Sequence, residues 1–302
     1  MSEATISAAA ADAVTATATA PATAAPRGAR EVFSPRGAKR VGATALWRKR
    51  LRWPVGIYTT PVVILILWEI LADVHVLGPT VAPAPSVIIR AAADLWNRGV
   101  LGPDLEISLR RAALGFALGL SVGVVTGTLG GLARTGENLF NGVVVVFNTI
   151  PILALLPLFI VWFGIGELPK VLIIAYASFV PMYLNLFAAI RGVDQRLVEM
   201  ARVNNAGRVR LVTRVLLPGS LPGFLTGLRF SLAYSVLALV AAETINAQQG
   251  LGFMISQAED YLQTNTVFVG LVIYSILGLI ADQVVRLLSL LLLRWRPSYE
   301  VK

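Results

Sequence analysis

Residues 191–223 read RGVDQRLVEMARVNNAGRVRLVTRVLLPGSLPG, the one long polar stretch lying between strongly apolar runs. Val193, Leu197, Met200 and Ala201 fall on one face of a helix, and Gln195, Glu199 and Arg202 on the opposite one. Asn204, Asn205, Ala206 and Gly207 break that helix. A second short helix is predicted through Leu211, Val212, Val215 and Leu216 to Pro218. The segment is too long for a plain connector and too polar for a bilayer. It carries six arginines against two acids. Two readings stand side by side: a solvated loop in which Glu199 pairs only with Arg202, or a bent two-helix platform whose apolar face lies on a membrane domain while its polar face meets a partner.

Outward from this segment the chain becomes a series of apolar blocks, roughly 53–72, 112–133, 139–163, 168–190, 221–245 and 267–293. Each is near or above the ~20 residues a helix needs to cross ~30 Å of hydrocarbon. Runs this long argue for helices, which satisfy their own backbone groups in lipid. Only 14% of the residues are charged and 56% are hydrophobic; soluble domains carry about 25% charge. The expected fold class is an all-α membrane protein with six transmembrane helices. The first span is the least apolar, with Pro54, Pro61 and Glu69; the last is interrupted by Asp282 and Arg286, whose i,i+4 spacing suits a pair.

Residues 1–45 are Ala/Thr-rich and lack the large apolar residues of a core or a signal peptide, so they read as a disordered, basic tail. Arg36 to Arg52 then forms a basic run before the first span, suited to anionic lipid. With the N-terminus in the cytoplasm and six spans, only Arg90, Arg98, Arg110, Arg111 and Lys170 fall on the outer side, leaving 21 of the 26 Lys/Arg inside. That bias predicts both termini in the cytoplasm and accounts for the net charge of +9 without nucleic acid. Between the first two spans, SVIIRAAADLWNRG (86–99) reads as an amphipathic helix with Val87, Ile88, Ala91 and Leu95 on one side, on the membrane surface or against neighbouring spans.

Several span residues stand out. Gly115, Gly119, Gly123, Gly127 and Gly131 recur every fourth position, a smooth stripe that serves close packing within the chain or a subunit contact. Asn148, Pro151 and Pro157 interrupt the third span; the carbonyls freed by proline need partners, and such helices often line cavities. Arg229 and Glu243 are costly in a bilayer and persist only against protein or water. At 14 residues apart, hence ~21 Å along a helix, they do not pair. With Tyr234, Ser235 and Asn246 they are candidates for a translocation pathway, Arg229 alternatively reaching the inner headgroups. FMISQAEDYLQTN (253–265) reads as a short outer helix, either closing the outer mouth or serving as a plain cap.

Glu199-Met200-Ala201, the glycine-containing bend and Leu217-Pro218 resemble the EAA loop of ABC importer permeases. LRRAALGFALGLSVGVVTGTLGGLAR (109–134), IPILALLPLFIVWFGIGELPK (150–170), LPGFLTGLRFSLAYSVLALVAAE (221–243) and GLGFMISQAEDYLQTNTVFVGLV (250–272) resemble its nitrate/sulfonate/bicarbonate/taurine branch. The likeness covers roughly residues 55–296, and residues 53–296 are read as the permease domain. It implies a type I importer (MetI-like) fold in a bacterial cytoplasmic membrane. It also implies a dimer, expected to be of identical subunits, two cytoplasmic ABC ATPases docked on the coupling loop 191–220, and an external substrate-binding protein. Glu199, Ala201, Arg202, Asn205, Gly207, Leu217 and Pro218 become the coupling residues. The family usually has glycine six positions after the Glu; here Asn205 stands there, with Gly207 two residues on. Asparagine tolerates left-handed backbone better than most residues, so the bend is expected to survive. The chain has no GxxxxGK[ST] phosphate loop, so ATP and Mg are expected on the partner and no cofactor here. With no cysteine and only His75, it offers no Cys- or His-cluster metal site and no Ser-His-Asp hydrolase. A secondary carrier or channel would need relayed intramembrane acids or an inverted repeat, whereas Glu69, Glu243 and Asp282 are scattered. The expected function is transport of a small anion, an alkanesulfonate or a relative, by alternating access.

Overall fold

The computed structural model describes residues 59–293 apart from 75, 77, 79 and 80. The expected tail, the basic run and His75 lie outside the described residues. The compact unit Thr59–Lys302 is helical throughout its described part. Its helices are α1 (59–73), α2 (Pro85–Asn97), α3 (Leu101–Leu132), α4 (Arg134–Thr149), α5 (Ile152–Phe163), α6 (Glu167–Arg191), α7 (Gln195–Val203), α8 (Arg208–Leu211), a π turn (Val212–Leu216), α9 (Leu217–Asn246), α10 (Leu251–Asp260) and α11 (Thr264–Leu292).

Among the described residues, four helices are long and apolar enough to cross a membrane: α3, α6, α9 with its preceding turns, and α11. The α4–α5 pair makes a fifth if counted as one broken span. The expected third span is thus corrected: it is not one helix but two, bent by 104° at Ile150-Pro151. Pro151 cannot donate to the carbonyl four residues back, at Phe147, and its ring clashes with that turn. The Phe147 carbonyl instead accepts from the Ile150 amide at 3.1 Å and from the Tyr176 hydroxyl at 2.5 Å.

α6 is the hub. The glycines of α3 lie along it, so the stripe is spent inside the subunit. A Cβ at Gly115 would sit 2.6 Å from Ile174 Cβ, one at Gly123 2.8 Å from Met182 Cβ, and one at Gly131 2.8 Å from Ile190 Cβ; at Gly119 it would run into the Ala175 carbonyl. A Cβ at Gly127 would lie 3.3–3.4 Å from the Tyr183 backbone and Leu186 Cβ. On its other side α6 receives Gly223 and Gly227 of α9, which face Ala189, Asn185 and Met182. Each glycine costs a helix ~0.5–1 kcal/mol relative to alanine, a loss offset by dispersion between backbones brought this close.

The main core joins Leu101 of α3, Leu156 of α5, Ile173 and Ile174 of α6, Leu239 of α9, Leu251 and Met254 of α10 and Tyr274 of α11. α2 buries Ile88 and packs on α11 and α3, settling the amphipathic segment against neighbouring spans. Glu69, the oddity of the first span, accepts from the Ser86 amide at 3.0 Å and so caps the start of α2. The expected pairing of Asp282 with Arg286 is also corrected: Asp282 pairs across helices with Arg229 at 2.5 Å, which joins α11 to α9 and answers the charge at position 229.

Candidate functional site

The polar segment folds from its own sequence signals. Asp194 caps α7, its carboxylate accepting from the Arg196 amide at 2.9 Å. At the other end the Ala206 amide donates to the Ala201 carbonyl (3.0 Å) and the Asn205 amide to the Arg202 carbonyl (2.9 Å). This is a Schellman closure, which requires a left-handed residue, and Asn205 supplies it at φ +52°. Gly207 instead has φ −61°, ψ 161°, extended backbone at the entry to α8.

Glu199 and Arg202 are exposed and make no ion pair among the described residues, so the solvated-loop pairing is not formed. Two further expectations are corrected. The apolar side of α7 does not lie on the membrane bundle: Met200 is 58% and Val203 82% exposed, while Ala201 is half-buried. Its main neighbours are α8 and the π turn, and Val193 ahead of it lies beside Gly219, which leaves Leu197, Met200 and Val203 uncovered. Nor does the second loop helix stop at Pro218. The π turn, closed by the Leu217 amide donating to the Val212 carbonyl, carries the helix through Leu217 and Pro218 into α9. The segment therefore presents a short, rigid, capped helix with both a charged and an apolar face free.

Asn148, Pro151 and Tyr234 come together in a cavity of about 410 Å³ at the α4–α5 break, with Tyr176, Pro181, Asn185 and Phe230. No charged residue lines it. Neutral amide and hydroxyl groups are set there among apolar walls. The remaining pathway candidates lie elsewhere. Arg229 faces Asp282. Ser235 is buried, donating to the Leu232 carbonyl at 2.8 Å. Glu243 is 0% exposed and faces the interior of the subunit, not an open cavity. Asn246 ends α9, and its side chain lies outside the described residues.

The structure adds a charge network at the end of the bundle opposite α7, buried at Arg111, Lys170 and Glu243 and open to the surface at Glu167. Arg111 donates through Nη1 to Glu243 Oε1 (2.7 Å) and to the Gln249 carbonyl (2.7 Å). It also grips Glu167 with two bonds, 2.5 and 2.7 Å. Lys170 donates to Glu167 at 2.9 Å. Ser108 donates to Glu243 at 2.7–2.8 Å while its oxygen accepts from the Leu251 amide at 2.9 Å. The Gly252 amide (3.0 Å) and Tyr274 hydroxyl (2.9 Å) complete the shell of Glu243. Arg111 and Lys170, read from sequence as outer-face charges, are each 4% exposed. Opposite charges 56 and 132 positions away in the chain neutralise Arg111, and separations of that size leave no mark in local periodicity.

Residues 119–292 match the family described as binding-protein-dependent transport system inner membrane component. The putative aliphatic sulfonates transport permease SsuC of Bacillus subtilis is 42% identical over 84% of this chain and 91% of its own length. The chain belongs to that family. SsuC of Escherichia coli strain K12 is 39% identical, over 80% of this chain and 92% of its own. The taurine transport system permease TauC of the same strain is 32% identical, over 84% and 96%. A chain of the MetNI methionine ABC transporter superposes with a TM-score of 0.51 at 18% identity, covering 63% of this chain and 96% of that one, a likeness of fold. The family is one of transport components, and with its apolar helices the chain is a multi-pass membrane protein. A gradient-driven carrier or channel finds no support in this membership.

Proposed function

We propose that the chain is the membrane-spanning subunit of an ATP-driven importer for aliphatic sulfonates or a related small anion such as taurine, nitrate or bicarbonate. Two copies, each with six spans and both termini in the cytoplasm of a bacterial cell, enclose the pathway in the inner membrane. Two ABC ATPases bind ATP and Mg below them, and a binding protein delivers substrate from outside. The observation that carries the reading is α7: a helix capped at both ends, with Glu199, Arg202, Leu197 and Met200 all uncovered. A rigid amphipathic helix fits a groove in a partner as one body. Asn205 and Gly207 set the bend behind it, and Ala201, Leu217 and Pro218 shape the joint to α9. Identity of 42% and 39% with sulfonate permeases supports the substrate class. The cavity of Asn148, Pro151 and Tyr234 gives the pathway neutral hydrogen-bonding groups, which hold an anion weakly enough for it to leave.

ATP binding closes the ATPases, α7 follows, and the equilibrium between inward- and outward-open states shifts by the difference in what the partners bind in each. The test is uptake of labelled alkanesulfonate by liposomes holding the permease, its ATPase and its binding protein. Glu199→Lys is expected to insert normally yet lose both uptake and ATPase copurification. Normal uptake with normal copurification would refute the coupling role, and vanadate-resistant, ionophore-sensitive uptake would refute the ATP-driven mechanism.

A further inference from the structure

The coupling segment and the buried charge network sit at opposite ends of one rod. From Arg208 through the π turn to Asn246 the backbone is helical without interruption. Leu217 to Glu243 alone spans ~39 Å. Glu243 lies in the last turn of that rod and is fully buried. Its donors come from three other elements: Ser108 and Arg111 from α3, the Gly252 amide from α10, and Tyr274 from α11. The start of α10 is moulded onto this carboxylate. Gly250 has φ +114°, and a Cβ on it would lie 2.7 Å from both Arg111 Nη1 and Glu243 Oε1; one on Gly252 would collide with Glu243 Cβ. The Gly250 amide donates to Asp104 at 2.8 Å and that of Leu251 to Ser108. The amide of the cap and the first two amides of α10 are thus spoken for by α3 and α9.

Apolar contacts already bury Leu251, Met254, Ile255 and Ala258 of α10. Such contacts hold an element in place but let it slide, because dispersion and burial are not directional. Buried ion pairs are weak contributors to stability, since desolvation offsets their attraction, and in some proteins their directional bonds fix a single register instead. We propose that Glu243 is a positioning residue that fixes α10 to α3 and α9, so that displacement of the coupling segment reaches α10 through one unbroken rod. α10 and the adjoining ends of α3 and α9 then travel as one body through the transport cycle. This rests on the ATP-driven reading above.

The chain contains no cysteine, so spin labels on Glu106→Cys and Gln257→Cys, exposed positions of α3 and α10, report their separation cleanly. In the reconstituted complex of permease, ATPase and binding protein, one narrow distance is expected, the same without nucleotide and with ATP trapped by vanadate. A distance that changes between those states overturns the proposal, whatever any variant does. Glu243→Gln keeps the shape but removes the charge. It is expected to broaden that distance and lower uptake about tenfold, with basal ATP hydrolysis and copurification unchanged. Wild-type uptake together with an unbroadened distance in Glu243→Gln also overturns it. Absence of ATP-driven uptake in the unaltered complex would instead sink the transport reading, while the label distance still judges the joint.

Discussion

At the level of single residues, two positions show how narrowly this packing is set. Gly119 faces the Ala175 carbonyl with no room for a Cβ, and a backbone atom has no rotamer by which to retreat. Gly119→Leu is expected to force α3 off α6 and destabilise the subunit by at least ~1–3 kcal/mol. Gly142, with open space around it, should accept alanine without loss. Melting of the detergent-solubilised proteins compares the two, and equal melting temperatures would contradict the account. Tyr183 runs the other way. It is wholly buried and stacked on Phe187 at 5.7 Å, yet its hydroxyl has no partner among the described residues. An unmet buried hydroxyl costs ~1–3 kcal/mol, so Tyr183→Phe should raise the melting temperature. Asn205 is the residue whose sequence reading and backbone coincide most closely: tolerance of positive φ was its chemical credential, and φ +52° is what it adopts.

At the level of elements, the α4–α5 break depends on one imino acid. Pro151 offers the Phe147 carbonyl no donor, the Ile150 amide and the Tyr176 hydroxyl bond it instead, and the pair bends by 104°. Pro151→Ala returns the missing donor and should straighten the pair. Spin labels at the exposed Val143 and Val161 are expected to move apart, toward the ~27 Å of a continuous helix. An unchanged separation would show that the tertiary contacts, not the proline, hold the bend. The cavity at the break should open or close with it, so uptake measured on the same variant ties shape to transport. The α8–π–α9 continuity carries a related lesson. Pro218 looks like a terminator in sequence, but the π turn before it, where the Leu217 amide donates to the Val212 carbonyl, carries the helix on past the missing N–H.

For the whole molecule, the helices order the site residues along one axis. α3, α6, α9 and α11 each run the length of the bundle, with the charge network at one end and α7 at the other. Single cysteines replacing Gln195 of α7 and Gln257 of α10, both exposed, should therefore react with a membrane-impermeant maleimide from opposite faces of sealed vesicles, α7 from the cytoplasmic side. Labelling of both from one face would overturn the orientation and, with it, any motor acting on α7.

Apolar run length, basic-residue bias and capping signals sufficed, without coordinates, for the all-helical membrane class, for α7 with its bend, and for the short α10. Those features are local, written within one or two turns of chain. Which partner answers each buried charge was not legible. Arg111 with Glu167 and Glu243, and Arg229 with Asp282, meet across 56, 132 and 53 positions of sequence, and only close packing of helices on α6 brings them together. The tertiary structure therefore decided that Glu243 is an internal hub and that the glycine stripe is spent within the subunit. Burial and charge neutralisation belong to the three-dimensional environment of a group, whereas helix, turn and hydrophobic face belong to its neighbours in the chain.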